Sequence, residues 1–319
     1  RLVFDYDSQE DIYNEARRLA HLAIEYLNKT GGGVSQANLA LGDAYFYNGD
    51  VNRWKKFAYS ILARSFHLTN KGAGYQADSV IYYSNLAINS NADNAVAKFA
   101  NTGISGTSNF FGQLRNNVGT LRQTRFIADL ISGVNSMFPG VVDPRAPYII
   151  RENTNGTYKG VRLTKGTDGL AVNDQPRNFW GGLFSSTSSA STDGRYIFQN
   201  GAPFPIITAA EIAFMKAEAL WIKGNKPGAL TAYIDGITHS FDMLTGTNEY
   251  HSRVPAAMQI TPAAKAAYLA NPLVVPAAAN LTLSHIMLQK YISQYGYGMH
   301  ITWYDLRRYH YTDLDPVTG

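Results

Sequence analysis

Residues 208–240 read TAAEIAFMKAEALWIKGNKPGALTAYIDGITHS, and this stretch decides the fold. Thr208-Ala209-Ala210-Glu211 has the form of a capping box, in which a threonine hydroxyl and a glutamate carboxylate satisfy each other's free helix-end amides. An apolar helix follows. Gly224 is suited to end it in a left-handed conformation, and Pro227 to open a second helix, which runs to about 243. So short a connection makes the two helices an antiparallel hairpin.

Within that pair Ala217, Ala229, Tyr233 and Gly236 stand at offsets of 12, 16 and 19 residues. A tetratricopeptide-type repeat places small residues at such offsets where its helices touch, and an aromatic at the far end. Working outward, residues 8–28 predict an amphipathic helix ended by Gly31-Gly32-Gly33. Asp50 is a good N-cap for a helix over 51–69, whose apolar stripe includes Trp54 and Phe57, and Trp54 is expected to be buried. A shorter helix is predicted over 76–88. Beyond the hairpin, Thr261-Pro262 opens one helix, 283–295 forms another, and a short one lies near 301–309.

From about 90 to 205 the periodicity fails, apart from a predicted helix at 121–134. Gly, Asn, Ser and Thr dominate, and Ser185 to Thr192 is close to low complexity. Tyr148-Ile149-Ile150 and Arg195-Tyr196-Ile197-Phe198 read as small strands. So long an irregular stretch is uncommon in a compact chain, and where it occurs it is often functional.

Composition narrows the function classes. The 319 residues are 45% hydrophobic but only 16% charged, so Asn, Ser, Thr, Gly, Gln and Tyr must build much of the surface. The net charge of +4 is too small and too scattered for nucleic-acid binding. There is no cysteine, which excludes disulfides, thiolate metal sites and cysteine nucleophiles. The seven histidines are not paired at helical spacing, so no metal site is expected. No HExxH, GxSxG, phosphate-loop or EF-hand pattern occurs, and no cofactor is expected. Glu211 and Glu218 lie two turns apart, but helix capping and packing explain them better than a glycosidase pair. Asp305, Arg307 and Arg308 read as a structural ionic cluster.

The aromatics of the irregular region carry more. Phe110, Phe111, Tyr148, Tyr158, Phe179, Trp180, Phe184, Tyr196 and Phe198 sit among Asn, Gln, Arg, Asp and Gly. A sugar presents an apolar C–H face and a rim of hydroxyls, so its site needs an exposed ring beside planar polar groups. Trp180 is the first choice of platform, with Phe179 beside it and Tyr196 second; Arg177 and Asn178 are the expected hydroxyl partners. The opposing arrangement has Phe179 and Trp180 plugging the helical core beneath a loop.

Three blocks of the sequence resemble the SusD/RagB family of outer-membrane nutrient-binding lipoproteins from Bacteroidetes. The first is Tyr47-Asn48-Gly49-Asp50, then Trp54-Lys55-Lys56-Phe57-Ala58, Ser60, Leu62 and Arg64, with Arg53 for the usual Lys and Tyr59 for the usual Asn. The second is the hairpin, from Pro203 and Thr208 through Ala217-Glu218-Ala219 to Tyr233, Gly236-Ile237 and Ser240. The third is Gln289-Lys290-Tyr291 followed by Trp303, Asp305, Arg307 and Arg308, with His310 where a Gly is usual. Asp143-Pro144-Arg145 matches a further family triplet.

The resemblance implies a single all-α domain over 1–319, with tetratricopeptide-like hairpins as scaffold and a loop-rich insert at 90–205 carrying ligand contacts. Members are usually longer, so N-terminal and C-terminal portions are expected outside this chain. Arg1 is followed by no leader, so a signal segment is expected to have been removed or to lie further upstream. The family also implies a glycan or oligosaccharide ligand, no catalysis, delivery to a SusC-like TonB-dependent transporter, and attachment to the cell surface of the outer membrane through an N-terminal lipid anchor. Two other functions compete: a tetratricopeptide-type scaffold that binds only protein, and a glycan-degrading enzyme.

Overall fold

The computed structural model describes residues 5–72, 74–183 and 194–316. Phe184 and the Ser185–Thr192 stretch lie outside them. The Ser8 hydroxyl accepts the Asp11 amide at 3.1 Å and opens α1 (Gln9–Leu27). A short α2 (Gln36–Gly42) follows. Asp50 accepts the amides of Asn52 and Arg53 and starts α3 (Val51–His67), against which α4 (Ala77–Leu86) packs. The Gly49 turn before α3 has φ +77°, and a Cβ there would sit 2.7 Å from the Ala40 amide nitrogen, so only glycine fits.

The chain then leaves the helical stack through β1 (Ala95–Ala97). It passes through an irregular region whose described residues contain α5 (Arg125–Ile131) and α6 (Ala146–Ile149) among short 3₁₀ turns. It returns through β2 (Phe204–Ile207), which pairs antiparallel with β1. This two-stranded ribbon joins the two ends of the irregular region. Two sequence expectations change here. Tyr148 and Ile149 are helical at α6 rather than a strand, with Ile150 just past its end, because Pro147 sits in its first turn with φ preset for a helix. The segment Tyr196–Phe198 is a 3₁₀ turn, and Tyr196 itself has φ +53°, which no strand accommodates.

Thr208 caps α7 (Ala209–Ile222), Gly224 takes φ +78°, and Asn225 caps α8 (Lys226–Gly246). After these come α9 (Asn248–His251), α10 (Pro262–Leu269), α11 (Leu283–Ser293) and α12 (Met299–Arg308). The molecule is all-α as the sequence predicts. The capping box at Thr208 is only half formed. Its hydroxyl accepts the Glu211 amide, but the Glu211 carboxylate turns to Arg64 of α3 at 2.7 Å instead. A guanidinium outbids a backbone amide because the bond is ionic on both sides.

α7 lies between two cores, which explains why its sequence is apolar all round. One face joins Ala63, Val80, Ile88 and Ile207 through Ile212 and Met215. The other joins α8, α11 and the irregular region through Phe214 and Ala217. Ala217, Ala229 and Tyr233 are fully buried, and a Cβ on Gly236 would meet the Phe214 ring at 2.8 Å. Ala217→Leu should therefore overpack the hairpin and lower stability by about 1–3 kcal/mol in urea unfolding. Trp54 is half-buried rather than fully buried. Its ring packs edge-on to Tyr47 and Phe57, and its indole N–H donates to Asp43 at 2.7 Å.

Two buried ionic clusters interlock the elements. Arg145, fully buried, donates to Asp143, to Ser240 of α8 at 2.9 Å and to Gln289 of α11 at 2.6 Å. Glu218 of α7, also fully buried, accepts from Arg308 at 3.0 Å, the Tyr309 hydroxyl at 2.7 Å and Asn70 at 2.5 Å. His67 Nε2 lies 3.1 Å from it, and Asp305 pairs with both Arg308 and Lys290. Members of the three sequence blocks and of the Asp143 triplet thus meet in the interior, while Trp303 and Arg307 of the third block stay exposed.

Candidate functional site

The structure places four of the five sequence-predicted site residues inside the fold. Asn178 is fully buried and clamps a turn: its side-chain oxygen accepts the amides of Trp180 and Gly182 at 3.0 and 2.7 Å, and its amide donates to Gly119. That turn drives the next two rings inward. Phe179 stacks on Phe198 with centroids 4.1 Å apart and planes 8° from parallel. Trp180 has no exposed surface, and its indole N–H donates to the Phe111 carbonyl at 2.9 Å. Tyr196 is buried edge-on to Tyr250, and burial holds its hydroxyl well above the usual phenol range. Arg177 alone stays half-exposed, donating to Gly181 at 2.9 Å.

The exposed platform expected at Trp180 is therefore not what these rings form: they plug the core beneath a loop. The physical reason is the Asn178 turn, which an extended reading of 177–180 misses. Of the nine aromatics singled out in the irregular region, Phe110 is the one that is mostly exposed among the described residues, at 56%.

What the irregular region does build is a polar cleft of about 300 Å³. Its floor is the 198–202 segment, one wall is Gln113 with Asn101, and the other is the 249–253 segment that follows α8. Backbone bonds fix this shape. Asn109 donates its amide to the Asn200 carbonyl at 2.8 Å, and Asn200 accepts the Leu114 amide through its side chain at 2.9 Å. Gly112 is needed where the two segments touch, since a Cβ there would lie 2.5 Å from the Asn200 side-chain oxygen. Gln199 is held by the Tyr196 and Glu249 carbonyls.

Three side chains on the rim are uncommitted. Among the described residues no hydrogen bond or ion pair engages the Glu249 carboxylate, the Ser252 hydroxyl or the Arg253 guanidinium. Glu249, Ser252 and Arg253 are all exposed. They lie outside the 90–205 stretch, and sequence reading missed them. The only signal available was a carboxylate and a guanidinium four residues apart just after a long helix. A second hollow, of about 800 Å³, lies between α11 and α12 and is walled mainly by apolar side chains such as Trp221, Met287 and Leu306. The carboxylates once weighed as a catalytic pair are each engaged elsewhere, Glu211 by Arg64 and Glu218 by Arg308.

Several solved structures share this fold. A SusD homologue from Parabacteroides distasonis superposes with a TM-score of 0.61 at 22% identity, over 96% of this chain and 62% of its own. A SusD/RagB family protein from Bacteroides thetaiotaomicron gives 0.65 at 20% identity, over 96% and 62%. A chitin-binding protein gives 0.61 at 21% identity, over 98% and 63%. The chain thus spans a little under two thirds of the length of these relatives. No curated protein matches the sequence. A family profile described as starch-binding, associating with the outer membrane, matches residues 2–319. With residues of each sequence block paired in the interior and the helical scaffold shared, the chain belongs to the SusD-like family, described as starch-binding and associating with the outer membrane.

Proposed function

We propose that this chain captures a glycan at the bacterial cell surface and passes it to a SusC-like TonB-dependent transporter, without cleaving it. The observation that carries this reading is the cleft: amides, a carboxylate, a hydroxyl and a guanidinium converge there, on loops held by a rigid helical scaffold. Sugar hydroxyls need such partners. Family membership supports the substrate class, and a chitin-binding protein of the same fold supports it independently. Among the described residues no helix is long and apolar enough to cross a membrane. We place attachment to the outer membrane in a lipid anchor upstream of this chain.

A few exposed hydrogen bonds should give weak binding, with a dissociation constant on the order of micromolar to millimolar. Calorimetry of the purified protein against starch and chitin oligosaccharides checks this, alongside a reducing-end assay on the same mixtures. Binding without release of new reducing ends is the expected result. Release of reducing ends would show an enzyme, and no binding to any glycan would return the protein-only scaffold to first place.

A further inference from the structure

The glycan reading leaves open which part of a saccharide the cleft would hold. At about 300 Å³ the cleft is at the bottom of the range for small-molecule sites, with room for roughly two sugar rings at most. Among the described residues its one lining aromatic is Phe198, and that ring is only 4% exposed. Phe179 stacks on it at 4.1 Å and Phe111 at 5.8 Å. Among the described residues no lining ring face is left for a sugar to lie on, and the exposed Phe110 does not line the cleft. Successive exposed rings could hold a long saccharide segment by their apolar faces, and among the described residues this cleft offers none.

The polar groups are of a particular kind. Glu249 offers two acceptor oxygens, Arg253 a planar fork of donors, and Ser252 both a donor and an acceptor. A vicinal pair of hydroxyls can donate both protons to a carboxylate, or accept from both arms of a guanidinium. The two charges are opposite, so the rim has no net charge. A uronate would meet Glu249 unfavourably, and an amino sugar would meet Arg253.

We infer that the cleft takes the end of a neutral saccharide chain, one or two rings deep, held by vicinal hydroxyls on Glu249, Ser252 and Arg253 rather than by stacking. This rests on the glycan-binding function proposed above, and the experiment separates the two. The protein is titrated calorimetrically with maltose, maltohexaose, cellobiose, cellohexaose, diacetylchitobiose and digalacturonate. In the series that binds, the hexamer should be within about threefold of the dimer, and digalacturonate should be at least about tenfold weaker. Arg253→Ala and Glu249→Gln should each weaken the neutral dimer about tenfold and leave the thermal midpoint unchanged, because both side chains are exposed.

A hexamer about tenfold tighter than its dimer overturns end-binding and leaves glycan capture standing, as does a preference for digalacturonate. Undiminished binding by both variants moves the site out of this cleft and overturns the inference alone. Failure of all six sugars to bind overturns the proposed function, and the inference falls with it.

Discussion

Glu218→Leu should lower the unfolding free energy by about 3–5 kcal/mol, the usual cost of removing one partner from a buried ion pair. The loss is large because of what remains. Arg308, Lys290 and His67 would stay in the interior, with Asp305 as the one carboxylate left to pair with Lys290 and Arg308 among the described residues. Urea unfolding monitored by tryptophan fluorescence measures it. A loss under about 1 kcal/mol would mean that water reaches the cluster and screens it. The same cluster sets an acid limb. Burial first, and then the cations Lys290 and Arg308, push His67 below its ordinary pKa of 6.5 against the opposing pull of Glu218. The unfolded chain therefore takes up that proton before the native one does. Stability contributed by the neutral imidazole is present above pH 6.5 and falls away below it. For Glu218, burial alone would raise the pKa, but Arg308, His67 and Lys290 outweigh it and hold the carboxyl well below 4.5. Its contribution is present above pH 4.5 and is lost on further acidification. Glu218→Leu should make that second part of the limb shallower.

Trp180→Ala should cost about 3–5 kcal/mol, the range for truncating a buried large aromatic. The ring is wholly enclosed, and the substitution also strands the Phe111 carbonyl that accepts its N–H. Near-wild-type stability in that variant would instead place the indole at the surface, where a sugar could reach it. The contrast with Arg253 is sharp: one substitution should change folding and the other binding.

The helical scaffold was legible in the sequence because its signals are local. Asp50, Thr208 and Thr261 cap the helices that follow them, and Gly224 turns between α7 and α8 as its type suggests. The ends of elements were less so: the helix predicted at 121–134 is only Arg125–Ile131. Glu218 could be read as a packing residue of its helix but not as the centre of an ion cluster, because its partners His67, Asn70 and Arg308 lie 90 or more residues away. The cleft was illegible for the same reason, being assembled from three separate segments. Trp180 failed for a different cause. Whether a ring in an irregular segment faces in or out depends on one side-chain hydrogen bond, that of Asn178, and no periodicity records it.

The Arg308–His67 contact spans 241 positions of the chain. A bond of that reach cannot help the molecule search for its shape, because closing so long a loop is entropically unfavourable until most of the protein has already collapsed. It is expected to form late, and a contact absent from the folding transition state slows unfolding without speeding folding. On that expectation the long-range bonds of the Glu218 cluster act as a clock on unfolding rather than a guide to folding: they should prolong the life of the native state without hastening its arrival.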